Sequence, residues 1–209
     1  MVICAATGNA GKLKELRRIL SALGHEVKSQ KELGINLEPE ETGTIFEENA
    51  LIKAEAICKA SGLATIADDS GLVVEALGGA PGVYSARYCG RHGDDAANNR
   101  KLMENMAGID AGRRGAKFVS AVTLMLPDGR QLTCLGECPG RVGMEEKGTN
   151  GFGYDPLFIP DEVGTRDGKR LPNREGRTYA QLEDWEKDAI SHRGNALRKL
   201  QQMLPLFLG

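Results

Sequence analysis

The sequence lacks the features that mark nucleic-acid-binding, zinc-binding and membrane proteins. Its formal charge is −2 and its aromatic content only 5%, whereas a general nucleic-acid binder carries a clear basic excess. Its five cysteines form no C-x-x-C pair and it has only three histidines, so zinc-finger spacings are absent. No apolar stretch approaches the roughly 20 residues of a membrane helix. We therefore expect a reduced, cytoplasmic protein that binds neither nucleic acid nor membranes.

Glycine is the residue in excess, with 27 among 209 residues, while proline numbers only 8. Glycine and proline together are too few for a low-complexity chain, and 41% hydrophobic residues suffice for a sizeable core. The glycines are therefore expected in ordered turns and loops, where the backbone closely approaches another group. Because we find no linker and no internal repeat, residues 1–209 are predicted to form a single domain with two lobes.

Hydrophobic periodicity predicts an α/β fold, because strand-like and helix-like segments follow one another in mixed order. The predicted strands are Val2–Ala6, Ala64–Ala67, which ends in Asp68–Gly71, and a hairpin of Phe118–Leu126 and Gln131–Leu135. The predicted helices run from Ala10 to a stop at Gly24, from Thr44 to Ser61, over Asp94–Met106 and over Arg193–Phe207. The helix from Thr44 opens with a Thr44–Glu47 capping box and ends at Gly62. Residues 161–177 are charged and turn-rich, and we expect them to form an exposed insertion.

The turn over Thr7–Lys12 joins the first strand to the first helix and is a candidate phosphate site. Its glycines allow close backbone approach, the helix start offers free N–H groups, and Lys12 adds positive charge. It is not a Walker A loop, because Ala6 and Leu13 stand where that motif needs glycine and a hydroxyl residue. An ordinary helix cap by Asn9 explains the same residues, and the sequence leaves both interpretations open.

Lys53 lies in the apolar stripe of the second predicted helix. A lysine in such a stripe either extends to solvent along its alkyl chain or points at negative charge in a cleft. Glu40, Glu41 and Glu48 lie around the start of this helix, where they could interact favourably with its dipole or supply a metal ligand.

The adjacent carboxylates Asp68 and Asp69 are the strongest signal. Neighbouring carboxylates repel one another unless a cation or donors compensate them, and Mg²⁺ prefers such hard oxygen ligands and also bridges to phosphates. One carboxylate can then hold the metal while the other deprotonates water. A turn in which both side chains cap backbone amides is the structural alternative.

Two further segments carry residues suited to binding a nucleotide base. Gly148–Pro156 frames two aromatic side chains and an acid with small residues, as a base-stacking platform requires, although a turn with a core phenylalanine has the same composition. Lys187 and Ser191–Arg193 combine donors for phosphate and for base edges.

Taken in order, these motifs resemble the inosine triphosphate pyrophosphatase family, which hydrolyses deaminated purine nucleotides. The resemblance is carried by Ala6–Lys12, Phe46–Ala50 with Lys53, Ala67–Leu72, Gly78–Tyr88, Gly151–Pro156, and Lys187 with Ser191–Arg193. It implies a long mixed β-sheet flanked by helices, two lobes with a cleft between them, and a homodimer. It also implies Mg²⁺-dependent hydrolysis of dITP, ITP or XTP to the monophosphate and pyrophosphate, which cleanses the nucleotide pool.

The resemblance further assigns a role to each motif residue. The triphosphate would be held by Thr7, Gly8, Asn9, Ala10, Gly11, Lys12 and Lys53. Asp69 would be general base and metal ligand, with Asp68 and Glu41 near the metal. The rest of the substrate would be bound by Ser70, Phe152, Gly153, Tyr154, Asp155, Lys187, His192 and Arg193, with Phe152 stacked on the purine base. A nucleotide sensor without hydrolytic activity is the alternative function.

Overall fold

The computed structural model describes residues 1–208. The strands are β1 (Val2–Ala6), β2 (Glu26–Ser29), β3 (Thr65–Val74), β4 (Gly115–Met125), β5 (Gln131–Val142), β6 (Phe158–Pro160), β7 (Glu162–Gly164) and β8 (Arg170–Pro172). The α-helices are α1 (Ala10–Ala22), α2 (Phe46–Ser61), α3 (Asp95–Asn105), α4 (Asp184–Ile190) and α5 (His192–Leu208). None of these helices combines the length and hydropathy of a membrane span.

Six strands form one sheet in the order β2-β1-β3-β4-β5-β6, and β7 and β8 form a separate pair. β1 is parallel to both β2 and β3, whereas β5 and β6 are antiparallel. The predicted mixed sheet of an α/β fold is therefore confirmed. The insertion at 161–177 contains the small β7–β8 hairpin, which the sequence did not predict.

The chain divides into two compact units. The first consists of Met1–Asp69, Ser120–Gly136 and Arg193–Gly209, and the second of Ser70–Val119 and Glu137–His192. The cleft that the resemblance implies stays a prediction.

The core of the first unit covers both faces of β1. Ile3 and Ala5 belong to a cluster with α1 and α5, while Cys4 and Ala6 belong to a second cluster with Ala54 and other residues of α2. A strand covered on both faces has no polar face. This explains why Val2–Ala6 is apolar throughout, and the predicted strand is confirmed.

β3 differs from the prediction in a way that matters for the site. The sequence predicted a strand that ends at Ala67, but β3 continues through Asp68 and Asp69 to Val74. Both carboxylates are buried, with 1% and 5% of the residue surface exposed. The prediction of a strand end was wrong, because buried cations and donors compensate these carboxylates inside the strand.

The start of α2 also differs from the prediction. The helix begins at Phe46, and Ile45 at the N-cap makes no side-chain capping bond. The backbone N–H of Thr44 donates instead to Glu48 Oε2, at 2.7 Å. The predicted capping box of Thr44 with Glu47 is therefore wrong by one residue, whereas the predicted end at Ser61 with Gly62 in the left-handed conformation is confirmed.

The core of the second unit joins β3, α3, β4 and the segments that carry the predicted base-binding residues. Phe118, Phe158 and Tyr179 are buried and mutually in contact, with ring centroids 4.8 to 5.6 Å apart. Edge-to-face and stacked pairs of this kind stabilise beyond the area they bury. They join β4 and β6 to the segment at Tyr179.

Gly148, in the loop after β5, provides a test of packing in this unit. Its φ is +85°, and a Cβ would lie 2.4 Å from the backbone of Ala180. We expect Gly148→Ala to lower the free energy of unfolding by about 2–5 kcal/mol, because backbone strain and overpacking add. Gly168 has a φ of +80° with open space around it, so that Gly168→Ala should cost only about 1–2 kcal/mol. Denaturant unfolding measures both values, and equal losses would show that the contact with Ala180 is unimportant.

Candidate active site

The turn that opens α1 is confirmed as a helix cap. Asn9 Oδ1 accepts from the backbone N–H of Lys12 at 2.9 Å, and the N–H of Asn9 donates to Thr7 Oγ1 at 3.1 Å. Gly8 is exposed, with open space where a Cβ would stand. The cap and the phosphate site are thus compatible, since the cap shapes the turn and leaves the helix N-terminus at the surface. Phosphate binding at Thr7, Gly8, Asn9, Ala10 and Gly11 stays a prediction.

Lys12 and Lys53, which are 41 positions apart in the sequence, converge on one backbone oxygen in the first unit. Lys53 Nζ donates to the carbonyl oxygen of Asp68 at 3.0 Å, and Lys12 Nζ approaches the same oxygen at 3.5 Å. Both side chains are largely buried. Lys53 therefore does not extend into solvent, and two ammonium groups lie side by side.

Acidic groups surround the Lys53 ammonium. Glu41 Oε1 lies 2.7 Å from it and Asp69 Oδ1 lies 3.5 Å from it. Burial is the largest single influence and would lower the pKa of Lys53, but the charges of Asp69, Glu41 and Asp68 together outweigh it and raise the pKa. Lys53 is therefore a stable cation. Because Glu40 is exposed, these contacts favour Glu41 as the acid of the site.

Asp68 is held by cations and a hydroxyl. Arg193 donates to it bidentately, from Nε to Oδ1 at 3.2 Å and from Nη2 to Oδ2 at 3.0 Å, while Lys12 Nζ lies 3.0 Å from Oδ2 and Ser120 donates to Oδ1. Burial would raise the pKa of Asp68, but the charges of Arg193 and Lys12 hold it well below its usual range. Asp68 is therefore a buried carboxylate whose ionised form is favoured by these partners.

Arg193 is 1% exposed and also pairs with Glu15 on α1. The charges of Asp68 and Glu15 raise its pKa against the effect of burial. In this structure the guanidinium binds two carboxylates, so that its predicted contact with a phosphate stays a prediction. Glu15 and Ser120 are site residues that the sequence analysis missed. A charged residue beside the apolar positions of α1 was the available signal for Glu15.

Asp69 is in a different environment from its neighbour. Asn49 Nδ2 donates to Asp69 Oδ2 at 3.2 Å, and Asn49 Oδ1 accepts from the backbone N–H of Gly43 at 2.7 Å. Burial raises the pKa of Asp69, and the charges of Lys53 and Lys12 only partly offset this effect. A carboxylate with a raised pKa is a better proton acceptor. Asn49 belongs to the Phe46–Ala50 motif, but its contact with Asp69 was not predicted from the sequence.

The predicted base-binding residues lie in the second unit, except Arg193. The backbone N–H of Phe152 donates to Asp155 Oδ2 at 3.0 Å, and Lys187 Nζ lies 2.6 Å from the same oxygen. The Lys187 ammonium also lies 5.2 Å from the centre of the Phe152 ring, within the range of a cation–π contact. Asp155 and Lys187 are thus a buried ion pair that fixes Phe152, which is itself partly exposed.

Tyr154 and His192 are buried beside this loop. Tyr154 donates its hydroxyl to the carbonyl of Ser85 at 2.8 Å, and the His192 ring stacks on Phe118 at 4.7 Å. Ser70 follows Asp69 in β3 and is partly exposed. Contacts of these three residues with a substrate stay predictions.

The chain is similar to proteins of one family over nearly its whole length. The model of the Ham1 family matches residues 3–203. A dITP/XTP pyrophosphatase of Exiguobacterium sibiricum is 48% identical over 209 residues, which cover 100% of both chains. One of Haemophilus influenzae is 50% identical over 204 residues, which cover 97% of this chain and 98% of that protein.

Solved structures show the same relationship. A HAM1 protein from Coxiella burnetii is similar with a TM-score of 0.81 and 38% identity, and the match covers 99% of each chain. A nucleoside-triphosphatase / dITP/XTP pyrophosphatase from Mycobacterium abscessus is similar with a TM-score of 0.71 and 46% identity, over 96% of this chain and 98% of the other. Sequence similarity and structural similarity therefore identify the same group of proteins.

Proposed function

Because this chain belongs to the Ham1 family, we propose that it is a nucleoside triphosphate pyrophosphatase that hydrolyses dITP, ITP and XTP to the monophosphate and pyrophosphate. The family resemblance predicted from the sequence motifs is confirmed. The names of the relatives support the reaction, and the contacts in the first unit support the chemistry. Removal of deaminated nucleotides from the precursor pool is the role that follows from this substrate class.

The observation that carries the proposal is the convergence of Lys12 and Lys53 beside Asp69. Hydrolysis of a triphosphate requires positive charge to stabilise the phosphoryl oxygens and a base to activate water. Two buried ammonium groups and the Asp69 carboxylate beside them meet both requirements within one unit. The exposed turn at Gly8, just before α1, adds backbone donors for a further phosphate.

The residues present fit a Mg²⁺ ion held by two carboxylates. Among residues 1–208 no cluster of three metal-binding side chains is preformed, but Mg²⁺ in nucleotide enzymes is commonly held by one or two carboxylates and the substrate phosphates. Glu41 and Asp69 both flank Lys53, and we propose them as the ligands. Asp68 is already bonded to Arg193, Lys12 and Ser120. We therefore assign it a positioning role and do not propose it as a metal ligand. When bound, Mg²⁺ would neutralise charge on the phosphates.

Asp69 accepts the proton in the proposed reaction. A water oxygen attacks the α-phosphorus and forms the new P–O bond, and its proton passes to a carboxylate oxygen of Asp69. The bond from the α-phosphorus to the bridging oxygen breaks, and pyrophosphate leaves with the electron pair. Lys12 and Lys53 stabilise the charge on the leaving phosphates. Asn49 keeps the Asp69 carboxylate oriented by its hydrogen bond.

The residues of the second unit bind the purine base in this proposal. Phe152 stacks on the base, and donors such as His192 bond the O6 acceptor of a 6-keto purine. Adenine carries an amino donor at this position, so a site built from donors rejects ATP. We also propose that the protein forms the homodimer that the resemblance implies.

The direct test is pyrophosphate release from dITP, ITP, XTP, ATP and GTP in parallel, with and without Mg²⁺. We expect kcat/KM for the deaminated substrates to exceed that for ATP by at least about a hundredfold, and turnover to require the metal. Equal or absent turnover across all five nucleotides would refute the proposed function.

A further inference from the structure

Two side chains of α3 hold the peptide groups of Gly153, in the loop that carries Phe152. Asp95 Oδ2 accepts from the backbone N–H of Gly153 at 2.8 Å, and Asn99 Nδ2 donates to its carbonyl oxygen at 3.1 Å. Residues four positions apart lie on one face of a helix, so α3 presents an acceptor and a donor together. All of these residues belong to the second unit.

The orientation of the Asn99 amide is fixed by this contact. The partner is a carbonyl oxygen, which only the Nδ2 donor can bond, because a flipped amide would set two acceptors against each other. The opposite atom, Asn99 Oδ1, is buried and has no hydrogen-bond partner among residues 1–208. Asn99 therefore leaves a buried acceptor unbonded, which costs stability.

The loop needs such support because of its backbone. Gly153 has a φ of +61°, with open space where a Cβ would stand, so that its conformation and not its packing demands glycine. Phe152 is tied at its own N–H to Asp155. The contacts from α3 secure the following peptide groups and thereby limit the directions that the Phe152 ring can take.

We propose that Asp95 and Asn99 are positioning residues that preorganise Phe152 for a purine base. The inference rests on the proposed function. It also has a consequence for specificity: both backbone groups of Gly153 are already bonded within the protein, so that other donors must read the edge of the base. The unbonded acceptor on Asn99 lowers the stability of the protein, as is common at positions that serve binding.

The test compares Asn99→Leu with Asn98→Leu. Asn98 is also buried on α3, but it bonds the backbone of Ala86 and Cys89 instead of Gly153. For Asn99→Leu we expect the KM for ITP to rise about tenfold, the value of one lost hydrogen bond, with kcat within about twofold. The denaturation midpoint should stay the same or rise, because the substitution also removes the unbonded acceptor. Asn98→Leu should lower the midpoint without this selective rise in KM.

Inorganic tripolyphosphate separates base binding from phosphate binding. It has no base, so its inhibition constant should be unchanged in Asn99→Leu if the variant affects only the Phe152 loop. Asp95→Ala should raise the KM for ITP, and Asp95→Asn should restore it, because asparagine keeps an acceptor for the Gly153 N–H. An unchanged KM in Asn99→Leu, or an equal rise in the inhibition constant of tripolyphosphate, would overturn the inference.

Calorimetric binding of ITP keeps the two proposals distinguishable. If the unaltered protein binds ITP without turnover, the proposed hydrolysis fails, while weaker binding by Asn99→Leu still supports the positioning role. If the unaltered protein hydrolyses ITP and both proteins bind it equally, the positioning role fails alone. If the unaltered protein does not bind ITP, both proposals fail.

Discussion

Replacement of Asp69 by asparagine is expected to lower kcat for ITP hydrolysis by about a thousandfold, the usual scale for loss of a general base. Asparagine has nearly the same shape and still offers an oxygen to Asn49, so that the fold and the hydrogen bond at Oδ2 are preserved. It cannot accept a proton from water. Pyrophosphate release measures the rate, and calorimetry without added Mg²⁺ measures whether ITP still binds.

Asp161→Asn is the matched control, because Asp161 is exposed and lies in the other unit. It should leave the rate within about twofold, as surface substitutions usually have small effects. A loss of rate in Asp69→Asn with retained binding excludes the nucleotide sensor. Undiminished turnover by this variant would instead show that another group activates water.

The second large effect is expected for Arg193→Met. Arg193 is the buried partner of both Asp68 and Glu15, and its removal takes the guanidinium charge away from two buried carboxylates, of which Asp68 retains Lys12. Breaking a buried ion pair in this way typically costs about 3–5 kcal/mol, and we expect the free energy of unfolding to fall by at least that amount. Urea unfolding measures the loss, provided that the dependence on denaturant concentration is unchanged.

Two further variants test whether the lost guanidinium charge causes the destabilisation. Arg198→Met, on the same helix, removes a partly buried arginine that donates to Asn195 Oδ1 within its own turn, and it should cost less than about 1 kcal/mol. Adding Asp68→Asn and Glu15→Gln to Arg193→Met removes the two negative charges that Arg193 balanced and should recover part of the loss. If Arg193→Met and Arg198→Met lowered the free energy of unfolding equally, the buried ion pairs of Arg193 with Asp68 and Glu15 would contribute little to stability.

Local patterns in the sequence predicted the elements that local physics determines. The cap of α1 at Asn9 and the end of α2 at Gly62 depend on neighbouring residues, and β1 shows itself as an apolar run; all three are confirmed. The family and the fold class followed from the order of the motifs. The residues on which the proposed chemistry depends were also found locally, because Lys12, Lys53 and Asp69 each lie in a recognisable motif.

The course of β3 could not be predicted from its own residues. Two adjacent aspartates favour a strand end, and the apolar segment from Gly71 to Leu77 reads as a separate element after them. The compensating groups, Ser120 and Arg193, are 52 and 125 positions away. Contacts over such distances are tertiary, and they override the local propensity.

Contacts with particular side chains escaped the sequence analysis for the same reason. Asn49 and Asn99 are asparagines within helices, where the residue has no strong preference, so neither position shows its partner in advance. Their roles are visible only once the loops at Gly43 and Gly153 are placed against the helices.

The oxygen on which Lys12 and Lys53 converge belongs to the main chain of residue 68. Alanine scanning would therefore leave this acceptor intact, because it truncates side chains and does not alter a main-chain carbonyl. Chemical synthesis offers the missing experiment: an α-hydroxy acid at position 69 converts the preceding amide to an ester, whose carbonyl is a poorer acceptor, while every side chain is retained.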